Sequence, residues 1–252
     1  MKLAAAIGNT TCRLAWMEGS EVRETVVFNH DEIRSGEAEA QLRVRVDSGV
    51  LPVVSQAGLC TVVPQLNEQV RALCRIAGAV DVRLCTPEAA SWFPTKYRTM
   101  ETLGADRFCA VLGARELYGA PVVVVDFGTA TTVNVVDRDG VFLGGSIAPG
   151  VQTALRALHE HTAQLPALQA ENADVIGDDS ASSMRSGVVH FTRFGVEGML
   201  REIHKVTGPD TPVIVTGGNA PVLLGAGLML PGLRHDADLL FRGIIFFLNF
   251  TG

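Results

Sequence analysis

The strongest constraint on this chain is a pattern that occurs twice. Leu3–Ile7 is a short apolar run broken by Gly8-Asn9-Thr10. Cys12–Met17 and Val22–Phe28 follow as two more strand-like runs, separated by the polar Glu18-Gly19-Ser20. The second half opens the same way. Ala120–Val125 is a continuous Val-rich run, as expected of a strand buried on both faces. Gly128 breaks it after Asp126-Phe127. Thr129–Val136 and Val141–Ile147 then pair across Asp137-Arg138-Asp139-Gly140, whose Asp-Gly end is a hairpin signal. Laid over each other, Ala6-Ile7-Gly8-Asn9-Thr10 falls on Asp126-Phe127-Gly128-Thr129-Ala130. Such a duplication predicts two similar α/β lobes, residues 1–118 and 119–252, with a cleft between them. The two glycine turns would face that cleft and offer backbone N–H groups to an anion.

Between these motifs the spacing predicts helices over 31–46, 65–76, 103–118, 149–161, 182–206 and 236–249, and strands over 58–63, 80–85 and 211–216. With 252 residues, 47% of them hydrophobic, the chain can build two cores. A net charge of −6 argues against a broad nucleic-acid footprint. The longest apolar stretches, 221–233 and 239–250, are too short or carry an Arg, so no membrane span is expected, and the N-terminus lacks a signal-peptide core. Five cysteines without C-x-x-C spacing read as small buried hydrophobes in a reducing cytoplasm. The tempting His159-Glu160-His161 triplet offers no metal site, because adjacent helical positions do not share a face.

There is no G-x-x-x-x-G-K-[ST] and no kinase-type G-x-G-x-x-G, so a nucleotide would have to be held another way. Two opposed glycine turns and the Thr216-Gly217-Gly218 loop are such a way. Asp126 ends a fully apolar strand, where a carboxylate is costly unless paired, hydrated or bound to a cation. Asp106, beside Arg107 at the start of a helical run, reads both as a reacting carboxylate and as a helix-start carboxylate.

An ordered series of motifs then narrows the reading. Ile7-Gly8-Asn9-Thr10, Leu103-Gly104-Ala105-Asp106-Arg107, Val125–Thr132, Leu143–Gly150, Thr162–Pro166, Ser186-Gly187 and Thr216-Gly217-Gly218 together resemble the type III pantothenate kinases. These are bacterial members of the superfamily that holds acetate kinase, sugar kinases and actin. The resemblance implies a duplicated actin-like (RNase H-like) α/β fold with mixed sheets, acting as a cytoplasmic homodimer. It implies ATP-dependent phosphorylation of pantothenate with Mg²⁺, helped by a monovalent cation, K⁺ or NH₄⁺, near Asp126. It makes Asp106 the general base and places Tyr97, Gly104, Ala105, Arg107 and Ser180 around pantothenate. Arg107 would hold its carboxylate. Gly8, Asn9, Thr10, Arg13, Gly128, Thr129, Thr216, Gly217 and Gly218 would hold ATP. Tyr97 also reads as an ordinary half-buried tyrosine, and Ser180 as the cap of the helix that follows.

The chain departs from the family pattern at several positions. The family opens with Asp-x-Gly-Asn-Thr, and here the first position is Ala6. Losing a carboxylate that helps place Mg²⁺ and phosphates should cost on the order of 10²-fold in rate. The alternative reading is therefore a catalytically impaired relative that binds ligands or regulates. Arg13 stands where a Lys is usual, Met100 where a Pro is usual, and Phe191 and Phe194 where glycines are usual. The two phenylalanines imply either compensated packing or a narrowed nucleotide site.

Overall fold

The computed structural model describes residues 1–230 and 232–250. In chain order its elements begin with β1 (Lys2–Ile7), β2 (Thr11–Glu18) and β3 (Glu21–Asn29), then α1 (His30–Ser35) and α2 (Glu37–Asp47). β4 (Gln56–Thr61), α3 (Asn67–Ile76), β5 (Asp81–Leu84) and α4 (Ala105–Tyr118) follow. The second set is β6 (Val122–Phe127), β7 (Ala130–Val136), β8 (Phe142–Pro149), α5 (Val151–Glu160), α6 (Ser180–Thr207), β9 (Val213–Thr216), α7 (Ala220–Gly225), β10 (Leu233–His235) and α8 (Leu239–Phe250).

The helix expected over 31–46 is two helices. Asn29 caps the first by accepting the Asp31 and Glu32 N–H groups while Glu32 reaches back to the cap. Gly36, at φ +81°, ends it in the left-handed region open to glycine. The apolar stretch 221–233, which carried no element in the sequence reading, holds α7 and the start of β10.

The chain divides into two compact units, Met1–Leu117 with Asp238–Gly252, and Tyr118–Ala237. Each unit holds one five-stranded mixed sheet, ordered β3-β2-β1-β4-β5 in the first and β8-β7-β6-β9-β10 in the second. In both, the first strand runs antiparallel to the second and parallel to the fourth. The repeat seen in the sequence is therefore a repeat of topology.

In the first unit, Leu3, Ala5, Ile7, Leu14, Trp16 and Leu59 bury one sheet face against Ile33, Leu42 and Leu73 of α1–α3. The other face is lined by small residues, and α8 lies on it. A Cβ at Gly58 of β4 would collide with Ile244. α4 and α8 cross where Gly113 meets Leu239 and Gly243, and a side chain at 243 would occupy the place of the Cys109 carbonyl. The closing helix, read from sequence with residues 119–252, thus packs on β1, β4 and α4. In the second unit, Val123, Val125, Phe127, Val213 and Val215 pack against α5, α6 and α7 through Leu155, Met184, Val189, Leu200 and Leu223.

Candidate active site

The first-strand turn of the second unit is built around a carboxylate. Asp126 is the fifth residue of β6 and lies beside Thr132 of β7 and Thr216 of β9, on the same sheet face. After Thr216, Gly217 turns back at φ +95°, and a Cβ there would overlap both the Asp126 carboxylate and the Phe127 backbone. Gly128 approaches the same carboxylate from the other side, where a Cβ would stand 3.3 Å from Oδ1. The carboxylate is clasped between two glycine loops of one unit. The strand end is pinned by Asn219, whose N–H donates to Phe127 O (2.9 Å) and whose Nδ2 donates to Gly128 O (3.2 Å). The Thr129 carbonyl accepts from Gly150 N (3.0 Å) and Thr153 Oγ1 (2.7 Å). In a trans peptide the C=O and the following N–H point opposite ways. Fixing the Gly128 carbonyl therefore aims the Thr129 N–H away from Asn219, and among the described residues that N–H has no acceptor.

The first unit repeats the turn with differences. Gly8 N–H closes on Thr11 O (2.9 Å), as Gly128 N–H closes on Ala130 O (3.1 Å). Ile7 pairs with Cys12 across four residues, whereas Phe127 pairs with Thr131 across three. The ungapped overlay of Thr10 on Ala130 is therefore corrected by one residue: Thr11 is the counterpart, because the first turn carries an extra residue. Asn9 and Thr10 are exposed at its tip. Arg13, half-buried on β2, stacks its guanidinium 4.9 Å above the Phe241 ring of α8.

Ala6 holds the place of Asp126. It lies beside Arg13 and Cys60 on the sheet face away from α1–α3, and only 4% of it is exposed. Cys60 touches Cys109 of α4, and Cys109 also touches Cys85. Three of the five cysteines, scattered in sequence, form one buried thiol group; all five are free. Burial pushes Cys12 and Cys74 up to about 12, while hydrogen bonds to Cys60 and Cys85, and after them burial, raise Cys109 well above the ordinary thiol value. Cys60 is raised as well: burial and its charged neighbours, the Asp106 carboxylate among them, outweigh the opposing hydrogen bond from Cys109. Asp106, in the first turn of α4, is thus near enough to Cys60 for its charge to act on that thiol.

Asp106 sits in the first turn of α4, and its Oδ1 accepts the Arg107 N–H (2.8 Å). This satisfies one orphan donor of the helix start. Gly104 leaves this carboxylate its place, since a Cβ at 104 would press on Asp106 Oδ1 and displace it. Arg107 is 8% exposed and lies 5.7 Å over the Tyr97 ring. Tyr97, Gly104, Ala105, Asp106 and Arg107 are thus assembled in the first unit. Ser180 belongs to the second unit, exposed on the first turn of α6. It is not the cap; Asp179 is, accepting the Ser182 N–H (2.7 Å) while the Ser182 hydroxyl stands 3.1 Å from the Asp179 N–H.

Phe191 and Phe194 are exposed, at 79% and 46%, so neither ring is packed into the core. With Val175, Ile176 and His190 they line an open apolar groove of about 330 Å³ on α6. His159 Nδ1 donates to the Leu165 carbonyl oxygen (2.7 Å), a structural bond. Sequence reasoning gave no role to Asn219 or Thr153, quoted Gly150 only within a family motif, and read His30 as structural. Only Asn219, directly after the Thr-Gly-Gly run, carried a visible signal.

The family model for type III pantothenate kinase matches residues 2–202. The chain belongs to the type III pantothenate kinase family. A relative of that name from Acidiphilium cryptum is 35% identical over 97% of this chain and 92% of its own length. One from Kosmotoga olearia is 33% identical over 98% and 95%. Among solved structures, a conserved Baf-family protein from Campylobacter jejuni superposes with a TM-score of 0.60 at 19% identity, covering 98% of this chain and 97% of that one. The fold is actin-like, and the chain is a kinase, a phosphotransferase. Among the described residues no helix is long and apolar enough to cross a membrane, and no group of three or more His, Cys, Asp or Glu is placed to hold a metal ion.

Proposed function

We propose that this kinase transfers the γ-phosphoryl group of ATP to the primary hydroxyl of pantothenate, giving 4′-phosphopantothenate and ADP on the way to coenzyme A. The observation that carries the reading is the clasp at Asp126, where Gly217 leaves no room for a side chain and Gly128 little, beside a turn whose Thr129 N–H has no acceptor among the described residues. Such a turn suits phosphate oxygens. The donor set fits a metal that arrives with the nucleotide. Mg²⁺ is commonly held by one or two carboxylates plus phosphates and water, and Asp126 supplies one. The same carboxylate suits K⁺ or NH₄⁺.

Phosphoryl transfer depends on positioning, charge neutralisation and a group that accepts the proton of the attacking hydroxyl. Asp106 takes that proton as the hydroxyl oxygen bonds to the γ-phosphorus and ADP leaves. Arg107, steadied over Tyr97, offers its planar fork to the pantothenate carboxylate. The Tyr97 ring walls the gem-dimethyl body, and Gly104, Ala105 and Ser180 complete the substrate contacts. Gly8, Asn9, Thr10, Arg13, Gly128, Thr129 and Thr216–Gly218 contact ATP. The enzyme works in the cytoplasm as a homodimer, and the apolar groove on α6 offers surface for a second copy.

The test is ADP release with ATP, Mg²⁺, K⁺ and pantothenate. Asp106→Asn is expected to lower kcat by roughly 10²–10⁴-fold while thermal unfolding stays unchanged. No pantothenate-dependent ADP release with any monovalent cation overturns the reading. Ala6 favours a second one, a relative that binds pantothenate without turnover. Calorimetry separates them, because pantothenate binding without ATP binding supports the second.

A further inference from the structure

We propose that His30 is a positioning residue for the first phosphate turn. The inference rests on the reading that this turn contacts ATP. His30 is the first residue of α1, directly after the Asn29 cap, and its Nε2 lies 2.9 Å from the Gly8 carbonyl oxygen. A carbonyl only accepts, so Nε2 carries the proton and donates. The Gly8 carbonyl and the Asn9 N–H belong to one trans peptide and point opposite ways. The bond therefore fixes the direction of the Asn9 N–H, which among the described residues has no acceptor.

The second unit supplies an independent parallel. There the Gly128 carbonyl is held by Asn219 Nδ2 at 3.2 Å, and the Thr129 N–H is aimed in the same manner. Two turns of different length, with different residues, share one device: a side-chain donor from outside the turn holds the glycine carbonyl. The donors come from unrelated places, a helix start after β3 and the loop after β9, so the likeness is not a by-product of the duplicated strands. The first turn needs the brace more, because its extra residue gives the tip more freedom. His30 is itself well placed to be rigid. The Asn29 capping box, with Asn29 N–H donating to Glu32 Oε2 at 2.7 Å, fixes the backbone from which it projects.

The experiment compares the full chain with His30→Gln, whose amide nitrogen can reach toward the place of Nε2, and with His30→Ala. Mg²⁺-ATP and pantothenate binding are measured by calorimetry, and amide hydrogen exchange is followed at Gly8, whose N–H closes the turn on Thr11 O. His30→Ala is expected to weaken ATP binding about tenfold, the size of one hydrogen bond, and to speed exchange at the turn. Pantothenate affinity should stay within twofold, and His30→Gln should recover most of the loss. Unchanged ATP affinity and unchanged exchange in His30→Ala overturn the proposal. Equal losses in both variants also overturn it, because the donor would then not be the cause. If the parent chain binds no ATP, the kinase reading fails. The exchange data then decide separately whether His30 holds the turn, and unchanged exchange overturns that part as well.

Discussion

The first-strand turns of the two units share strand order, glycine position and a closing backbone bond, yet they are not equivalent sites. The second carries Asp126 one residue before its strand ends and wraps it with Gly128 and Gly217. The first carries Ala6 at that position, between Arg13 and the Cys60 thiol. Backbone geometry survived duplication in both, while charge is concentrated in one. An N–H turn needs only a permissive backbone, whereas a carboxylate at a strand end needs neighbours that accept its charge. The second unit provides hydroxyls and glycine loops; the first provides a thiol and the Arg13 guanidinium, which is stacked on Phe241.

The comparison breaks most sharply if the second turn is made like the first. Asp126→Ala is expected to reduce kcat/KM on the order of 10³-fold, with most of the loss in ATP-dependent steps, because the clasp would then surround nothing charged. Steady-state kinetics with varied Mg²⁺-ATP measures this, and a loss under tenfold would show that the two turns were already equivalent. The reverse change, Ala6→Asp, is expected to raise turnover about 10²-fold. It should also lower the melting temperature, since position 6 is almost fully covered and a carboxylate there meets the Cys60 thiol. Unaltered turnover in a folded Ala6→Asp protein would mean that the charge imbalance is not what limits the reaction.

Glycine replacements sharpen the same contrast. At 217 the backbone is left-handed and a Cβ has no room; at 128 it would stand 3.3 Å from a carboxylate oxygen; at 8 it would meet only Thr11 O at 3.6 Å. Gly217→Ala should therefore cost about 1–3 kcal/mol of stability and most ATP affinity. Gly128→Ala should cost less, and Gly8→Ala close to nothing in stability. Denaturant unfolding and ATP titration rank the three, and an equal effect at 8 and 217 would contradict the asymmetry.

How much of this could be read from the sequence depended on which forces act locally. The duplicated strand pattern was legible because a buried first strand must be continuously apolar, and Val122–Val125 leaves no other reading. Asp126 was legible for the opposite reason, a charge where the pattern forbids one. The break at Gly36 was missed, since one left-handed residue interrupts a helical period without changing it. The closing helix was assigned to its chain neighbours because its real partners, Gly58 and Gly113, are chosen by shape at distant positions. The extra residue in the first turn was invisible to an ungapped overlay. His30 could not be recognised at all, because its partner is a backbone oxygen 22 residues away.

The smallest expected effect concerns two carboxylates at helix starts. Asp106 lies inside the first turn of α4 and bonds the next N–H, whereas Asp179 stands outside α6 as its cap. Hydrogen bonds from the Ser182 N–H, and after it the Ser182 hydroxyl, hold the Asp179 carboxyl below its ordinary value of 3.8. A carboxyl depressed by folding stabilises the folded state fully above its unfolded value and loses that contribution as pH falls through the folded one. The cap therefore contributes in full above about pH 4 and weakens only under stronger acid. Amide exchange at Ala181–Ser183 should rise slightly as pH is lowered from 5 to 2, beyond the intrinsic pH dependence of exchange. Asp179→Ser, which keeps an accepting oxygen but cannot titrate, should flatten that rise. A rise of equal size in Asp179→Ser would place the acid sensitivity of α6 elsewhere, and would leave Asp179 a cap through geometry rather than through charge.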